Sequence, residues 1–162
     1  MKLGALFVAC GSLLGAIALV LTTSVTLAQQ EGGAGSSGGG AKASVWSGVY
    51  TAAQGKRGAE FYSGACAQCH GPNLNGAGQP DLPPSPAIAR ATFLRKWAGK
   101  PVSELFIYVR TQMPPDNPGT LTDQQAIDAV AHMFAVSNIP PGDKELPPDP
   151  KALADLVIEE SK

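Results

Sequence analysis

The sequence contains little cysteine and little histidine. Three of its 162 residues are cysteine and two are histidine. Cys10 lies in an uncharged N-terminal stretch, so Cys66 and Cys69 are the only cysteines in the rest of the chain. A zinc site built from two cysteine pairs is therefore excluded, because the second pair does not exist.

The chain also lacks an excess of charge of one sign. From residue 29 onward, eleven basic side chains stand against thirteen acidic ones, which gives a net charge of −2. A chain so close to neutrality is not expected to bind nucleic acid. One stretch, however, contains a single acidic residue, Glu104, among five basic ones. These basic residues are Arg90, Arg95, Lys96, Lys100 and Arg110. They belong either to ordinary solvated helix faces or to a basic face that docks a partner.

Residues 1–28 have the layout of a secretory signal peptide. They begin with the basic Lys2, carry no charge from residue 3 to residue 21, and close with the small-residue pattern Thr26-Leu27-Ala28. We expect cleavage after Ala28 and export to the periplasm. The alternative is a retained membrane anchor, because the apolar run approaches the roughly 20 residues that a membrane helix needs.

Composition divides the rest of the chain into three parts. Residues 29–44 form a linker rich in glycine and serine, which can bury almost no surface. One folded domain is predicted over residues 45–139. Residues 140–162 form a proline-rich extension, in which residues 151–160 are predicted to form a short helix.

No alternating run of apolar and polar residues is evident, so no strand is predicted. Helices are predicted from capping signals instead. Thr51 with Gln54 has the form of a capping box at the start of a helix that ends near Cys66. Thr122 with Gln125 repeats this form at the start of the last long helix.

Two shorter helices are predicted between these, one capped by Thr92 and ending at Trp97, the other between Pro101 and Pro114. Residues 71–86 contain five prolines, which predicts an irregular loop. The fold class is therefore all-α, with about four or five short helices. A domain this small needs additional buried apolar surface to be stable.

The motif Cys66-Ala67-Gln68-Cys69-His70 is a C-x-x-C-H sequence, typical of covalent attachment of haem. Two thiols three positions apart can each bond one vinyl group of the haem, and the adjacent histidine then binds iron as the proximal ligand. A thioredoxin-like dithiol is the competing interpretation, but no βαβ pattern surrounds the motif. We therefore predict one haem c, attached through Cys66 and Cys69.

Three side chains are candidates for the second axial ligand. Met113 precedes Pro114 and Pro115, and a proline-stiffened loop can direct its sulfur at iron. Met133 lies within the last predicted helix, where a methionine more often fills the core. His132 would give a centre of lower reduction potential. Met113 is the preferred ligand.

Two further residues are predicted to support the haem. The carbonyl of Pro80 is a candidate acceptor for the second ring nitrogen of His70; the alternative is that Pro80 only shapes a turn. Trp97 is predicted to donate its indole N–H to a haem propionate, and simple core packing is the alternative.

With these motifs, the sequence resembles the class I cytochrome c family. The likeness spans about residues 45–138 and rests on the helix ending in C-x-x-C-H-G, the proline-containing loop, the Met113-Pro114 pair and the C-terminal helix. Several segments are similar to small bacterial cytochromes associated with quinoprotein dehydrogenases. The resemblance implies that Gly58 and Tyr62 form the face that meets the last helix. Where the family usually has an aromatic residue on that helix, this chain has His132.

The resemblance implies an electron carrier rather than an enzyme. Its expected partners are a redox donor and a redox acceptor, with a quinoprotein dehydrogenase as one candidate. Membrane contact is expected only if residues 1–28 are retained. The alternatives are an electron-transfer subunit of a dehydrogenase complex, and a haem enzyme or gas sensor in which Met113 is displaceable.

Overall fold

The computed structural model describes residues 42–160, which belong to one compact unit. The predictions for residues 1–28, and for the linker up to residue 41, lie outside the described residues. In chain order the elements are β1 (Ala43–Ser44), a 3-10 turn (Val45–Ser47), α1 (Ala52–Ala65), α2 (Ala67–His70), α3 (Arg90–Trp97), α4 (Val102–Gln112), α5 (Asp123–Val136), α6 (Pro150–Leu153) and β2 (Leu156–Val157). The predicted all-α fold is confirmed, because helices account for nearly all regular structure here.

Helices α1 and α5 form the centre of the fold. A side chain at Gly58 would collide with the backbone carbonyl of Asp128, so the two helices touch backbone to backbone at this crossing. One turn further along α1, Tyr62 is buried, and its ring lies 5.2 Å from that of His132. Gly58 and Tyr62 thus form the face predicted for them, and His132 occupies the place of the usual aromatic residue.

The predicted helix starts are confirmed at α1 and α5. The Thr122 hydroxyl accepts from Gln125 N–H, and the Gln125 side chain accepts from Thr122 N–H, which completes a capping box. At α1 the Thr51 hydroxyl accepts from Gln54 N–H. The Gln54 side chain does not return to the cap, however, because it is fully buried and bonds elsewhere.

Helix α3 begins three residues earlier than predicted, with Ala89 at its N-cap, so the prediction that Thr92 caps it is wrong. Its first N–H, that of Arg90, donates to the Ser137 hydroxyl at 2.8 Å. This capping partner follows the end of α5 and is 47 residues away in the chain. A local sequence signal could not identify it.

The C-terminal extension packs against the domain. Leu146, Leu153 and Ile158 are buried in the common core. Strand β2 pairs in parallel with β1 through Ala43↔Leu156 and Ser44↔Val157, so the prediction of no strand is wrong for these four residues. The predicted terminal helix is limited to α6.

Backbone bonds join this segment to the α3–α4 connection as well. Gly99 N–H donates to Ile158 O at 2.8 Å, and Ile158 N–H donates to Lys100 O at 3.0 Å. The two ends of the described chain therefore meet at one edge of the domain. Between residues 42 and 160, no helix is long and apolar enough to cross a membrane.

Candidate functional site

Helix α1 leads directly into the C-x-x-C-H motif. Cys66 caps the end of α1, where its N–H donates to Tyr62 O at 2.9 Å, and it also begins α2. The N–H groups of Cys69 and His70 both donate to Cys66 O, at 3.1 and 2.9 Å. Because the motif forms one helical turn, the two thiols, three residues apart, lie on the same side of it.

Both cysteines are free thiols and partly buried. Burial raises the pKa of Cys66 to about 11, and the nearby Cys69 adds to the effect. A dithiol exchange site needs a thiolate of lowered pKa at an accessible position. The environment of Cys66 therefore argues against the thioredoxin-like interpretation.

The imidazole of His70 is oriented by a backbone carbonyl. Its Nδ1 lies 3.1 Å from the carbonyl oxygen of Pro86. A carbonyl only accepts, so Nδ1 must carry the proton and Nε2 keeps a free lone pair. The second ring nitrogen is thus available to a metal, as a proximal ligand requires.

The acceptor is Pro86 and not Pro80. Pro80 is exposed and occupies the second position of a turn closed by Leu82 N–H and Gln79 O at 3.1 Å. Gln79 N–H in turn donates to Gln68 O at 2.8 Å, which holds this turn against the start of α2. Pro80 therefore shapes a turn, and the chain must run six residues further before a carbonyl reaches His70.

The loop after the motif is fitted closely around it. Gly76 N–H donates to His70 O at 2.9 Å. A side chain at Gly78 would collide with the backbone carbonyls of Gln68 and Cys69. Leu74, almost completely buried, anchors the loop in the core. The loop thereby holds the carbonyl of Pro86 beside His70.

Tyr62 is a supporting residue that the sequence indicated only as a packing surface. Its hydroxyl is buried and donates to Gly71 O at 2.7 Å, next to His70. Burial raises its pKa strongly, with a smaller contribution from Cys66, so the hydroxyl keeps its proton. The hydroxyl group of Tyr62, absent from phenylalanine, is the one sequence signal for this role.

The three candidates for the second axial ligand have different surroundings. Met113 caps the end of α4, is half-buried and packs against the edge of the core. Met133 is buried inside the core, as the sequence predicted. His132 is half-buried against Tyr62, and this burial lowers its pKa. Met113 is the candidate that lies at a helix end rather than within the α1–α5 crossing or the core.

Trp97 ends α3 and packs partly against the core. Its ring makes an edge contact with Tyr108 of α4, with 6.0 Å between centroids. Its indole N–H has no hydrogen-bond acceptor among the described residues. Trp97 therefore packs against the core and Tyr108, and its indole N–H is still free to donate a hydrogen bond.

The donor set fits a haem c. Two unbridged thiols lie on one helical turn, and His70 presents a free Nε2 beside them. Cys66 and Met113 pack against the same core cluster, although they are 47 residues apart in the sequence. Thiol, imidazole and thioether are the groups that attach and ligate this cofactor.

A comparison with protein families identifies the same region of the chain. Residues 53–133, half of the chain, match the family described as cytochrome c oxidase, cbb3-type, subunit III. No curated protein and no solved structure matches the chain significantly. The matched range includes the C-x-x-C-H motif, Met113 and most of both helices of the central crossing. The chain therefore belongs to this family and is a class I c-type cytochrome, a haem-binding protein of electron transfer.

Proposed function

We propose that the protein is a periplasmic carrier of single electrons with one covalent haem c. Cys66 and Cys69 attach the cofactor, and His70 and Met113 bind its iron. Haem c, when bound, supplies a one-electron couple between ferric and ferrous iron. The observation that carries the proposal is the contact between His70 Nδ1 and Pro86 O, which leaves Nε2 free beside two unbridged thiols.

The chain's own residues have three tasks in this function. The loop that ends at Pro86 orients His70 and fixes its tautomer. Met113 would supply the second ligand to the iron, so that no substrate would have to bind the metal. Trp97 offers its indole N–H to a propionate. An iron held by both His70 and Met113 would favour an electron carrier over an enzyme or a gas sensor.

The partners in this proposal are a dehydrogenase as donor, with a quinoprotein among the candidates, and a cytochrome or oxidase as acceptor. Residues 1–28 direct export, and the mature chain contacts the membrane only if they are retained. The family description, an oxidase subunit, favours a second arrangement in which the chain is held within a redox complex. Co-purification from cell extract at low and at high salt separates a free carrier from a fixed subunit.

The cofactor is tested by a pyridine haemochrome spectrum combined with intact mass. We expect a c-type spectrum, a mass that includes one haem, and a mature chain starting at Gln29. Haem that extracts into acidified organic solvent would contradict covalent attachment, and a mass that includes residues 1–28 would favour the anchor. Cys66→Ala and Cys69→Ala should each reduce the number of covalent bonds between protein and haem from two to one.

The coordination is tested with carbon monoxide. The ferrous protein is expected not to bind this gas, because both axial positions are filled. Ready binding would instead favour the gas sensor or enzyme with a displaceable Met113.

A further inference from the structure

An aromatic cleft lies on the surface between α3 and α4. We define it by Trp97, Ile107 and Tyr108, with Lys96, Lys100 and Glu104 along its edge. Its larger part has a volume of about 460 Å³. Ile107 and Tyr108 are 46% and 45% exposed, and they are the large hydrophobic side chains that the described residues leave in solvent.

The cleft is held in place by its own contacts. Trp97 packs against the core on one side and meets the edge of Tyr108 on the other. The ammonium group of Lys100 lies 5.4 Å from the centre of the Trp97 ring, a cation–π arrangement. An ordered aromatic surface of this kind loses little conformational entropy on binding a partner, which favours association.

The elements that form the cleft also carry residues of the proposed haem site. Ile107 and Tyr108 lie on the outer face of α4, which ends at Met113, whereas Leu105 and Phe106 are buried on its inner face. Trp97, the proposed propionate donor, contributes one wall of the cleft. A partner seated on this surface would therefore approach the elements that support the cofactor.

Of the three basic residues of the stretch that lie outside the cleft, two are engaged with neighbouring groups, and Arg95 is exposed without an ion pair among the described residues. Arg110 is committed to Asp123, at 2.6 Å, and Arg90 donates to Asn73 O at 3.1 Å. Lys96 has no ion pair among residues 42–160. Lys100 has one pair, with Glu104 at 3.1 Å, and both side chains are about half exposed. Such an exposed pair contributes only about 0.2–1 kcal/mol, so Lys100 can exchange it for a partner's carboxylate.

We propose that the aromatic cleft is the docking surface for an acidic redox-protein partner. Tyr108 and Ile107 supply the apolar contact, and Lys96 and Lys100 meet carboxylates of the partner. Aromatic side chains concentrate binding energy at interfaces, and complementary charge raises the association rate. The inference rests on the proposed function, because docking here has a purpose only if the chain carries electrons.

The test uses the haem-loaded protein with plastocyanin, an acidic copper protein, as the probe. Oxidation of the ferrous protein is followed by stopped flow at low ionic strength. The double variant Lys96→Glu/Lys100→Glu should slow the reaction about tenfold, and the difference should shrink in high salt. Tyr108→Ser should also slow it, with a weaker dependence on salt.

The matched control is Lys56→Glu/Lys144→Glu, which makes the same change in net charge at exposed lysines away from the cleft. Equal slowing by the two double variants would overturn the proposal, because it would show an effect of net charge alone.

Sedimentation with phosphatidylglycerol vesicles provides a second readout. If Lys96 and Lys100 are needed for vesicle binding but not for the reaction with plastocyanin, the cleft is a lipid surface and the proposal fails. If the protein holds no covalent haem, its haemochrome spectrum shows this before any reaction with plastocyanin is measured. That result would contradict the proposed function and not the docking surface.

Discussion

His70 is oriented by a group that neither titrates nor depends on a side chain. The carbonyl of Pro86 can only accept, so this contact favours the tautomer of His70 that carries a proton on Nδ1. A carboxylate in the same place would add negative charge beside the imidazole and would itself take up protons. The carbonyl therefore gives the imidazole a fixed direction with little added charge.

At this scale the first prediction concerns Met113. A thioether favours ferrous iron, so Met113→His should lower the reduction potential, by about 59 mV for each tenfold shift in the one-electron equilibrium. Met113→Leu should abolish the sulfur-to-iron absorption band of the ferric protein. Potentiometry and the absorption spectrum provide the two measurements.

Met133→Leu is the control for this experiment. Met133 is buried in the core, and the replacement nearly conserves volume, so the cost in stability should stay below about 1.5 kcal/mol. The band should persist. Loss of the band in Met133→Leu but not in Met113→Leu would show that Met133 is the ligand.

The second prediction at this scale concerns Gly78. Its added methyl group in Gly78→Ala would collide with two backbone carbonyls of the motif helix, so the loop must shift. We expect a loss of about 1–3 kcal/mol in the free energy of unfolding and a lower yield of haem-loaded protein. Gly64→Ala is the matched control, because nothing lies within 4 Å of the added methyl group. It should stabilise α1 by about 0.5–1 kcal/mol in urea unfolding, and a similar loss in both variants would contradict the steric argument.

Among the elements, the extension is bound to α1 by a buried side chain. Gln54 donates to Leu146 O at 2.9 Å and accepts from Leu146 N–H at 2.8 Å, which satisfies both backbone groups of a buried residue. A surface glutamine at the third helical position would instead complete the capping box with Thr51. Sequence predicted the capping box because the pattern is local, whereas Leu146 is 92 residues away.

The third prediction follows from this pair of bonds. Gln54→Leu should leave two buried backbone groups of Leu146 without partners, at a cost of about 1–3 kcal/mol each. Urea unfolding is expected to show a loss of roughly 2–6 kcal/mol. Gln79→Leu, at an exposed glutamine whose side chain has no hydrogen bond among the described residues, should change stability by less than about 0.5 kcal/mol. Comparable losses in the two variants would mean that the bonds to Leu146 contribute little.

Arg57 joins the same elements through charge. Its guanidinium bonds both oxygens of Glu145, at 2.7 and 2.8 Å, and also reaches Asp128 of α5 at 3.1 Å. The hydrogen bond from Arg57 holds the pKa of Glu145 below its usual 4.5. A carboxyl whose pKa is lowered in the folded state stabilises the fold above its unfolded pKa, and this contribution disappears as pH falls through the folded value.

The fourth prediction is therefore a change in pH dependence. Below about pH 4.5 the wild-type protein should lose stability more steeply than Glu145→Gln, while at neutral pH the variant should be the less stable of the two. Urea midpoints at pH 7 and pH 3.5 measure both effects. Glu60→Gln removes an exposed carboxylate without an ion pair among the described residues and should leave the slope unchanged. Parallel pH profiles for wild type and Glu145→Gln would contradict the role of Arg57.

For the whole molecule, sequence patterns predicted the long helices and the C-x-x-C-H motif better than they predicted the contacts between distant parts of the chain. Capping boxes and C-x-x-C-H are local, so their signals lie in a few adjacent residues. The acceptor for His70 is a backbone carbonyl, which any of five neighbouring prolines could have supplied. The short parallel pairing of β1 with β2 joins residues more than a hundred positions apart, and two residues per strand show no alternation.

The extension was predicted as a segment outside the domain of residues 45–139, and that boundary stays a prediction. Its apolar residues Leu146, Leu153 and Ile158 are far apart in a proline-rich sequence, so they showed no periodic pattern. In the structure all three are buried in the common core. Backbone approach adds to this packing, since Gly142 lies so close to Gly48 that neither position has room for a side chain.

The last prediction tests whether residues 45–139 are sufficient. Burying a leucine or isoleucine side chain contributes about 1.5–3 kcal/mol, so a chain that ends at Ile139 gives up roughly 5–9 kcal/mol of gross burial, partly offset by the entropy of the released segment. Typical domains have only about 5–15 kcal/mol of net stability. We therefore expect the truncated chain to unfold at much lower urea, or to yield little haem-loaded protein. The control ends at Val157 and is expected to lose far less, because only Ile158 leaves the core. Equal urea midpoints for the full chain and the chain ending at Ile139 would contradict this prediction. They would show that the cytochrome domain ends at residue 139 and that the extension adds no stability to it.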